Sequence, residues 1–255
     1  MEIEHDRIDA RLPPAAMAER LDVRRPGPEP KMHATLVAFH SPAGASAEAI
    51  RGLYYGLRRI QGGAPLGVLA VCSSARGEGR STIAANLALI AARETGQPTA
   101  VVDCDLRAPR LADLFGIDGE VGLSDVLANR ADLDAIVYEH HSAGIAIIPG
   151  GRPEPEPARR FMSPRFARFL AQIRHRFDEV VMDLPPLACA DARILAPQCS
   201  GAVMIVRSGR TDASLVRDSL ASIEGVKVLG AALNDVSESE APVLRAARRA
   251  LPGRR

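Results

Sequence analysis

The chain has 255 residues and a formal net charge of +1. Hydrophobic residues make up 47% and charged residues 25%, which allows a large core and excludes global disorder. The balanced charge argues against a protein that coats nucleic acid regardless of sequence, because such proteins carry a large basic excess.

Three segments differ in composition. Residues 1–33 are polar and proline-rich, which predicts a flexible leader. Residues 34–236 carry the apolar patterning of a single domain, and residues 237–255 form a basic tail. The start, MEIEHDRIDARLPP, is charged and lacks the apolar core of a secretory signal. No apolar run reaches the roughly 18 residues of a membrane span, so we expect a cytoplasmic protein.

A helix is predicted over residues 46–60. Ala47, Ile50 and Leu57 recur at helical spacing, with either Leu53 or Tyr54 completing the apolar face. Two glycines, at positions 62 and 63, end the pattern.

From residue 66 onward, short apolar runs alternate with amphipathic stretches. Continuous apolar strands that alternate with helices are typical of a parallel sheet covered on both faces. The sequence therefore predicts an α/β fold with a mostly parallel central sheet. The predicted strands are 66–72, 99–103, 144–149, 179–183, 201–206 and 226–233, and the predicted helices are 81–94, 164–177 and 212–223.

The segment SSARGEGRSTIAANLA, residues 73–88, joins the first strand to the first of these helices. Gly77 and Gly79 let the backbone turn its N–H groups toward an anion, and the helix N-terminus adds a partial positive charge. Ser81 stands where a hydroxyl would coordinate Mg²⁺. Against the pattern G-x-x-x-x-G-K-[ST], Ser74 replaces the first glycine and Arg80 the lysine. A glycine-rich turn without a ligand is the alternative interpretation.

Acidic residues end the next predicted strands. Asp103 and Asp105 are two residues apart, so that they share one face of an extended segment. Asp183 closes the run EVVMDLPP, which has the form of an acid that holds Mg²⁺ directly or through water. A helix cap or a turn would explain any one of these residues alone. Together, at the edge where α/β sheets bind ligands, they indicate a nucleotide site.

Four cysteines, at positions 72, 104, 189 and 199, are far apart and form no C-x-x-C pair. The six histidines are not spaced as metal ligands either. We therefore expect reduced thiols and no zinc site.

Residues 34–236 resemble the cytoplasmic domain of bacterial tyrosine kinases of capsule and exopolysaccharide systems, within the ParA/MinD-like P-loop ATPases. The motif D-x-D-x-R-x-P, formed by Asp103, Asp105, Arg107 and Pro109, is the most specific part of the resemblance. Other similar segments are AEAIRGLYYGLR, VGLSDVLANR and IIPGGRPEPEP. The resemblance implies a P-loop NTPase fold that binds ATP or ADP with Mg²⁺.

The resemblance also implies roles for single residues. Asp103 would act as base or orient the nucleophile, with Asp105 and Arg80 as further catalytic residues. Asn234 would recognise adenine. The implied metal ligands are Ser81, Asp105 and Asp183. The implied phosphate-binding residues are Gly77, Glu78, Gly79, Arg80, Ser81 and Thr82.

Assembly and partners are implied in the same way. Glu48 and Arg51 match two of three positions of a helix motif used for self-association, and Tyr54 takes the third. The implied partner is a membrane polysaccharide co-polymerase, which would place the protein peripherally at the inner membrane. No specific nucleic acid is expected.

Two departures from the family pattern affect the expected activity. Arginine is a planar fork that does not replace a lysine point charge at a crowded phosphate site. The tail contains no tyrosine, whereas the family's kinases carry a C-terminal tyrosine cluster as their substrate. The sequence therefore favours an ATP-binding regulatory component of exopolysaccharide assembly. An active tyrosine autokinase or ATPase, and a MinD/ParA-like positioning ATPase, are the alternatives.

Overall fold

The computed structural model describes residues 30–236, so that most of the predicted leader and all of the tail lie outside it. One seven-stranded sheet forms the centre of this region. Its strands are β1 Gly67–Ser73, β2 Thr99–Asp103, β3 Tyr138–His140, β4 Ile145–Ile148, β5 Glu179–Asp183, β6 Gly201–Arg207 and β7 Val228–Asn234. Their order is β3-β4-β2-β5-β1-β6-β7. Every neighbouring pair is parallel except β3 and β4.

These strands confirm the predicted fold class. Each of the six predicted strands is found with its bounds within two residues. Strand β3 was not predicted, because its three residues, YEH, carry no apolar run. It is held by antiparallel pairing to β4, with Tyr138 opposite Ile147.

Helices cover both faces of the sheet. Alternate residues of β1 enter different cores, since Val68 and Ala70 pack on one side and Leu69 and Val71 on the other. The apolar face predicted for residues 164–177 is buried in the core that contains Val68 and Ala70. The helices are α1 Val37–His40, α2 Ala45–Ile60, α3 Arg80–Thr95, α4 Leu111–Phe115, α5 Leu123–Leu127, α6 Pro157–Phe161, α7 Pro164–Arg176, α8 Ala190–Leu195 and α9 Ala213–Ala221. Within residues 30–236 we find no helix with the length and apolarity to cross a bilayer.

Helix α2 is fastened to the sheet through a buried tyrosine. Tyr54 completes its apolar face and is fully buried, while Leu53 packs against the same core and is partly buried. The Tyr54 hydroxyl lies 3.1 Å from both carboxylate oxygens of buried Glu179, which also accepts a hydrogen bond from the Leu66 amide. Burial and the adjacent Glu179 charge raise the pKa of Tyr54, so the phenol stays protonated and donates.

Removing this hydroxyl should destabilise the domain. We expect Tyr54→Phe to lower the free energy of unfolding by about 1–3 kcal/mol, because it leaves a buried carboxylate short of a donor. Tyr55→Phe is the matched control, since Tyr55 is half exposed and bonds Glu94 at the surface. Urea unfolding followed by circular dichroism measures both. Equal stability of the two variants would contradict the role given to Tyr54.

Candidate functional site

The carboxyl ends of three neighbouring strands carry polar residues, and the sequence singles out two of them, Asp103 and Asp183. Strands β1, β2 and β5 end at Ser73, Asp103 and Asp183. Asp103 and Asp183 are direct partners in the register of β2 and β5. The structure therefore brings these side chains to one edge of the sheet, as the sequence predicts.

The glycine-rich loop lies above this edge. Gly77 and Gly79 both adopt positive φ angles, 81° and 83°, a conformation that favours glycine. Helix α3 begins at Arg80, directly after Gly79, so its N-terminus faces the loop. A cleft of about 380 Å³ opens here. Its walls contain all six predicted phosphate-binding residues and Asp105, together with Ala75, Arg76, Ala108, Arg110 and Leu114.

Glu78 shapes the loop through its side chain. The buried carboxylate accepts a hydrogen bond from the Ala75 amide at 2.9 Å and another from the Thr211 hydroxyl. Asn234 donates to the Glu78 carbonyl at 2.9 Å. The side chain of Glu78 therefore braces the loop, and its backbone amide is the group left for an anion. Asn234 contacts the phosphate loop, and its adenine-binding role stays a prediction.

The contact between Gly79 and Asn234 leaves no space for a larger residue. A Cβ atom at Gly79 would overlap the Asn234 amide nitrogen, whereas one at Gly77 would meet no atom within 4 Å. We expect Gly79→Ala to destabilise the domain by about 1–3 kcal/mol through strain and the lost hydrogen bond. Gly77→Ala is the matched control, because it has the same positive φ without the overlap. Thermal unfolding compares the two, and a larger loss for Gly77→Ala would contradict this geometry.

Arg80 turns away from the loop and toward the acidic residues. Its Nε atom donates to Asp183 Oδ1 at 2.7 Å, and its Nη2 atom donates to Asp105 Oδ2 at 3.0 Å. Its Nη1 atom donates to the Ser73 hydroxyl at 3.1 Å. The Arg80 side chain is only 7% exposed. All three guanidinium nitrogens are therefore engaged at the strand ends, and the phosphate-binding role of this side chain stays a prediction.

One arginine faces three buried carboxyl groups. Burial is the main cause that raises the pKa of Asp103, and the negative charge of Asp183 raises it further. Burial also raises the pKa of Asp183, against the opposing effect of Arg80. The carboxylates in turn raise the pKa of Arg80 despite its burial. The arginine therefore stays charged, and the carboxyl cluster favours a proton or a further cation.

Asp103 is occupied by the backbone. Its Oδ2 atom accepts hydrogen bonds from the amides of Arg110 and Leu111, at 2.7 and 2.9 Å, and its Oδ1 atom accepts from the Asp105 amide at 3.2 Å. These bonds fix the loop that follows β2 and the start of α4. The proposed role of Asp103 toward a nucleophile stays a prediction.

The site has oxygen atoms that suit Mg²⁺. Asp105 Oδ1 and Asp183 Oδ2 are buried and make no hydrogen bond, and Ser81 lines the cleft together with Asp105. Hard oxygen donors of this kind fit Mg²⁺, which takes few protein ligands and completes its shell with water and phosphate. Among residues 30–236 we find no group of three or more His, Cys, Asp or Glu side chains placed to hold a metal ion.

Two further predicted residues have structural partners. Arg107 Nε donates to the buried carboxylate of Asp191 at 2.9 Å, which links the loop after β2 to α8. Arg51 pairs with Glu48 and also with Glu94 on α3, at 2.8 Å. The helix predicted over 46–60 is thus confirmed, while self-association through it stays a prediction.

A parallel sheet, a glycine loop, a helix N-terminus and strand-end acids define a P-loop nucleotide-binding protein. Residues 69–251 match the CobQ/CobB/MinD/ParA nucleotide binding domain family. The chain belongs to this family and, within it, to the bacterial tyrosine kinases, as its similarities to known proteins show.

The similarities are as follows. Tyrosine-protein kinase CpsD of Streptococcus agalactiae is 33% identical over 178 residues, 68% of this chain and 76% of that one. Succinoglycan biosynthesis transport protein ExoP of Rhizobium meliloti is 32% identical over 80% of this chain, which spans 27% of that protein. The kinase domain of Escherichia coli tyrosine kinase ETK superposes with a TM-score of 0.77 at 26% identity, covering 87% of both chains. The septum site-determining protein MinD of Pyrococcus horikoshii, complexed with Mg-ADP, gives 0.56 at 25% identity, covering 68% and 72%.

Proposed function

We propose that this chain is an ATP-binding regulatory component of exopolysaccharide or capsule polymerisation and export, with phosphotransfer weaker than in its kinase relatives. The family supports the nucleotide, and the name of ExoP supports the polysaccharide system. The observation that carries the proposal is the position of Arg80, which holds Asp105 and Asp183 rather than the phosphate loop.

ATP would bind in the cleft above α3. The backbone amides from Gly77 to Thr82 and the N-terminus of α3 would hold the phosphates, with Ser81 facing the metal. Mg²⁺, held by Ser81, Asp105 and Asp183, would supply charge neutralisation at the phosphates. These contacts depend mainly on the backbone, so they do not require the lysine that arginine replaces at position 80.

The small number of accessible tyrosines supports the proposal that autophosphorylation is weak. The sequence contains three, Tyr54, Tyr55 and Tyr138. Tyr54 and Tyr138 are buried, whereas Tyr55 on α2 is half exposed and donates a hydrogen bond to Glu94 on α3. Among these three, only Tyr55 could reach an active site of another copy without local unfolding.

The partner would be a membrane polysaccharide co-polymerase. Such a partner would hold the protein peripherally at the cytoplasmic side of the inner membrane. The nucleotide state of the cleft would then be passed to the co-polymerase.

One experiment tests nucleotide binding and phosphotransfer together. Radiolabelled Mg·ATP is incubated with the wild-type chain, with and without the cytoplasmic segment of a co-polymerase. We expect ATP to be retained on a filter with the protein and little label to be transferred to either chain. Ser81→Ala is the control and should retain less ATP.

Two results would contradict the proposal. Absence of retained ATP at millimolar concentration would remove the nucleotide-binding function. Rapid labelling of Tyr55 or of the partner would favour the active tyrosine kinase instead.

A further inference from the structure

The guanidinium of Arg80 joins three structural elements. It contacts the end of β1 through Ser73, the loop after β2 through Asp105, and the end of β5 through Asp183. A lysine also has three N–H donors, but they leave a single nitrogen, so lysine cannot reproduce contacts that three separate guanidinium nitrogens make in one plane. The three hydrogen bonds and the burial of its side chain therefore fix Arg80 at this edge of the sheet.

The same guanidinium neutralises the site from within. Arg76 is a second arginine near Asp105, at 3.6 Å, and its side chain is 54% exposed on the solvent side. Asp183 has its ion pair with Arg80. Each of the two carboxylates gives one oxygen to Arg80 and leaves the other without a hydrogen bond. A divalent ion that used both carboxylates would thus have to share them with a fixed positive charge or displace it.

We propose that Arg80 is the resident cation of this site, taking beside Asp105 and Asp183 the charge-neutralising place of a divalent metal. Nucleotide binding by this chain then depends little on Mg²⁺. This inference rests on the proposed nucleotide-binding function. It adds to that function by assigning most of the positive charge beside the two carboxylates to a side chain, so that Mg²⁺, where it binds, adds little to the affinity for ATP or ADP.

A fluorescent ATP analogue measures this dependence directly. The analogue is titrated into wild-type, Arg80→Lys and Arg152→Lys proteins, each with Mg²⁺ and with EDTA. We expect EDTA to weaken binding less than about 3-fold in the wild type and about 10-fold or more in Arg80→Lys, where the carboxylates are released to the metal. Arg152→Lys, at an exposed position outside the cleft, should behave as the wild type. A wild-type loss as large as that of Arg80→Lys would overturn the inference.

A second titration needs no nucleotide. Mn²⁺ is added to nucleotide-free wild-type, Arg80→Met and Arg80→Lys proteins, and free Mn²⁺ is followed by electron paramagnetic resonance. We expect Arg80→Met to bind Mn²⁺ about 10-fold or more tightly than the wild type, because it removes the fixed charge that opposes a metal. Adding Asp183→Asn should abolish the gain.

The two titrations separate the possible failures. If no protein binds the analogue in either buffer, the proposed function fails, and the Mn²⁺ titration still decides the role of Arg80. Circular dichroism checks folding, and Arg80→Lys replaces Arg80→Met if the latter unfolds. Equal Mn²⁺ affinity in the wild type and the folded variants would overturn the inference.

Discussion

Replacing Arg80 by lysine is expected to raise steady-state ATP turnover by about 5- to 10-fold or more, because a misplaced charge at the phosphates can cost about 10²-fold in rate. Arg80 holds its charge at Asp105 and Asp183. A lysine is a compact point charge that can reach the phosphates and release the two carboxylates. Turnover is measured by phosphate release in Mg²⁺, with and without the cytoplasmic segment of a co-polymerase.

The control for this variant is Arg152→Lys, which makes the same exchange at an exposed position outside the cleft. Thermal unfolding of all proteins shows whether the fold is retained. Equal or lower turnover for Arg80→Lys under both conditions would contradict the account. It would show that arginine is the working residue of an adapted active site, as in the alternative of an active ATPase.

Removing the Asp183 carboxylate is expected to destabilise the protein by about 3 kcal/mol or more, because breaking a buried ion pair leaves a charge without its partner. Arg80 would keep Asp105 but lose its shortest contact, the 2.7 Å bond to Asp183 Oδ1. Asp183→Ala tests this in urea unfolding. The double variant with Arg80→Met should recover part of the loss, since it removes the unpaired charge.

A surface ion pair supplies the matched control. Arg152 and Glu120 are 2.7 Å apart, with side chains 75% and 64% exposed. Glu120→Ala should cost less than about 1 kcal/mol, because exposed pairs are screened by water. If Asp183→Ala cost no more than Glu120→Ala, the Arg80 contacts would not be part of what holds the strand ends together.

The fold could be predicted from the sequence because most of its strands share the same kind of apolar run. Five of the six predicted strands lie in the parallel core of the sheet and are rich in valine, isoleucine and alanine, which marks strands buried on both faces. The sixth, β7, is an edge strand and was still recognised from its apolar run. Strand β3 was not predicted because its residues, YEH, form no apolar run and its pairing with β4 is a tertiary contact.

The sequence predicted individual residues of the site, and it did not predict the hydrogen bonds that join them. Loop glycines and strand-end acids follow from local patterns, which is why Gly79 and Asp183 were identified. The bracing of Glu78 by Thr211 joins residues 133 positions apart, and no local pattern signals it. The direction of the Arg80 side chain is a choice among rotamers, which depends on the arrangement of three strand ends.

We expect the glycine loop and α3 to bind ATP while Arg80 stays paired with the carboxylates. Isothermal titration of the wild-type chain with Mg·ATP tests it most directly. The expected result is a single saturable binding event of modest affinity, which Gly79→Ala weakens more than Gly77→Ala does. The absence of saturable heat at millimolar ATP, with a folded protein, would contradict it.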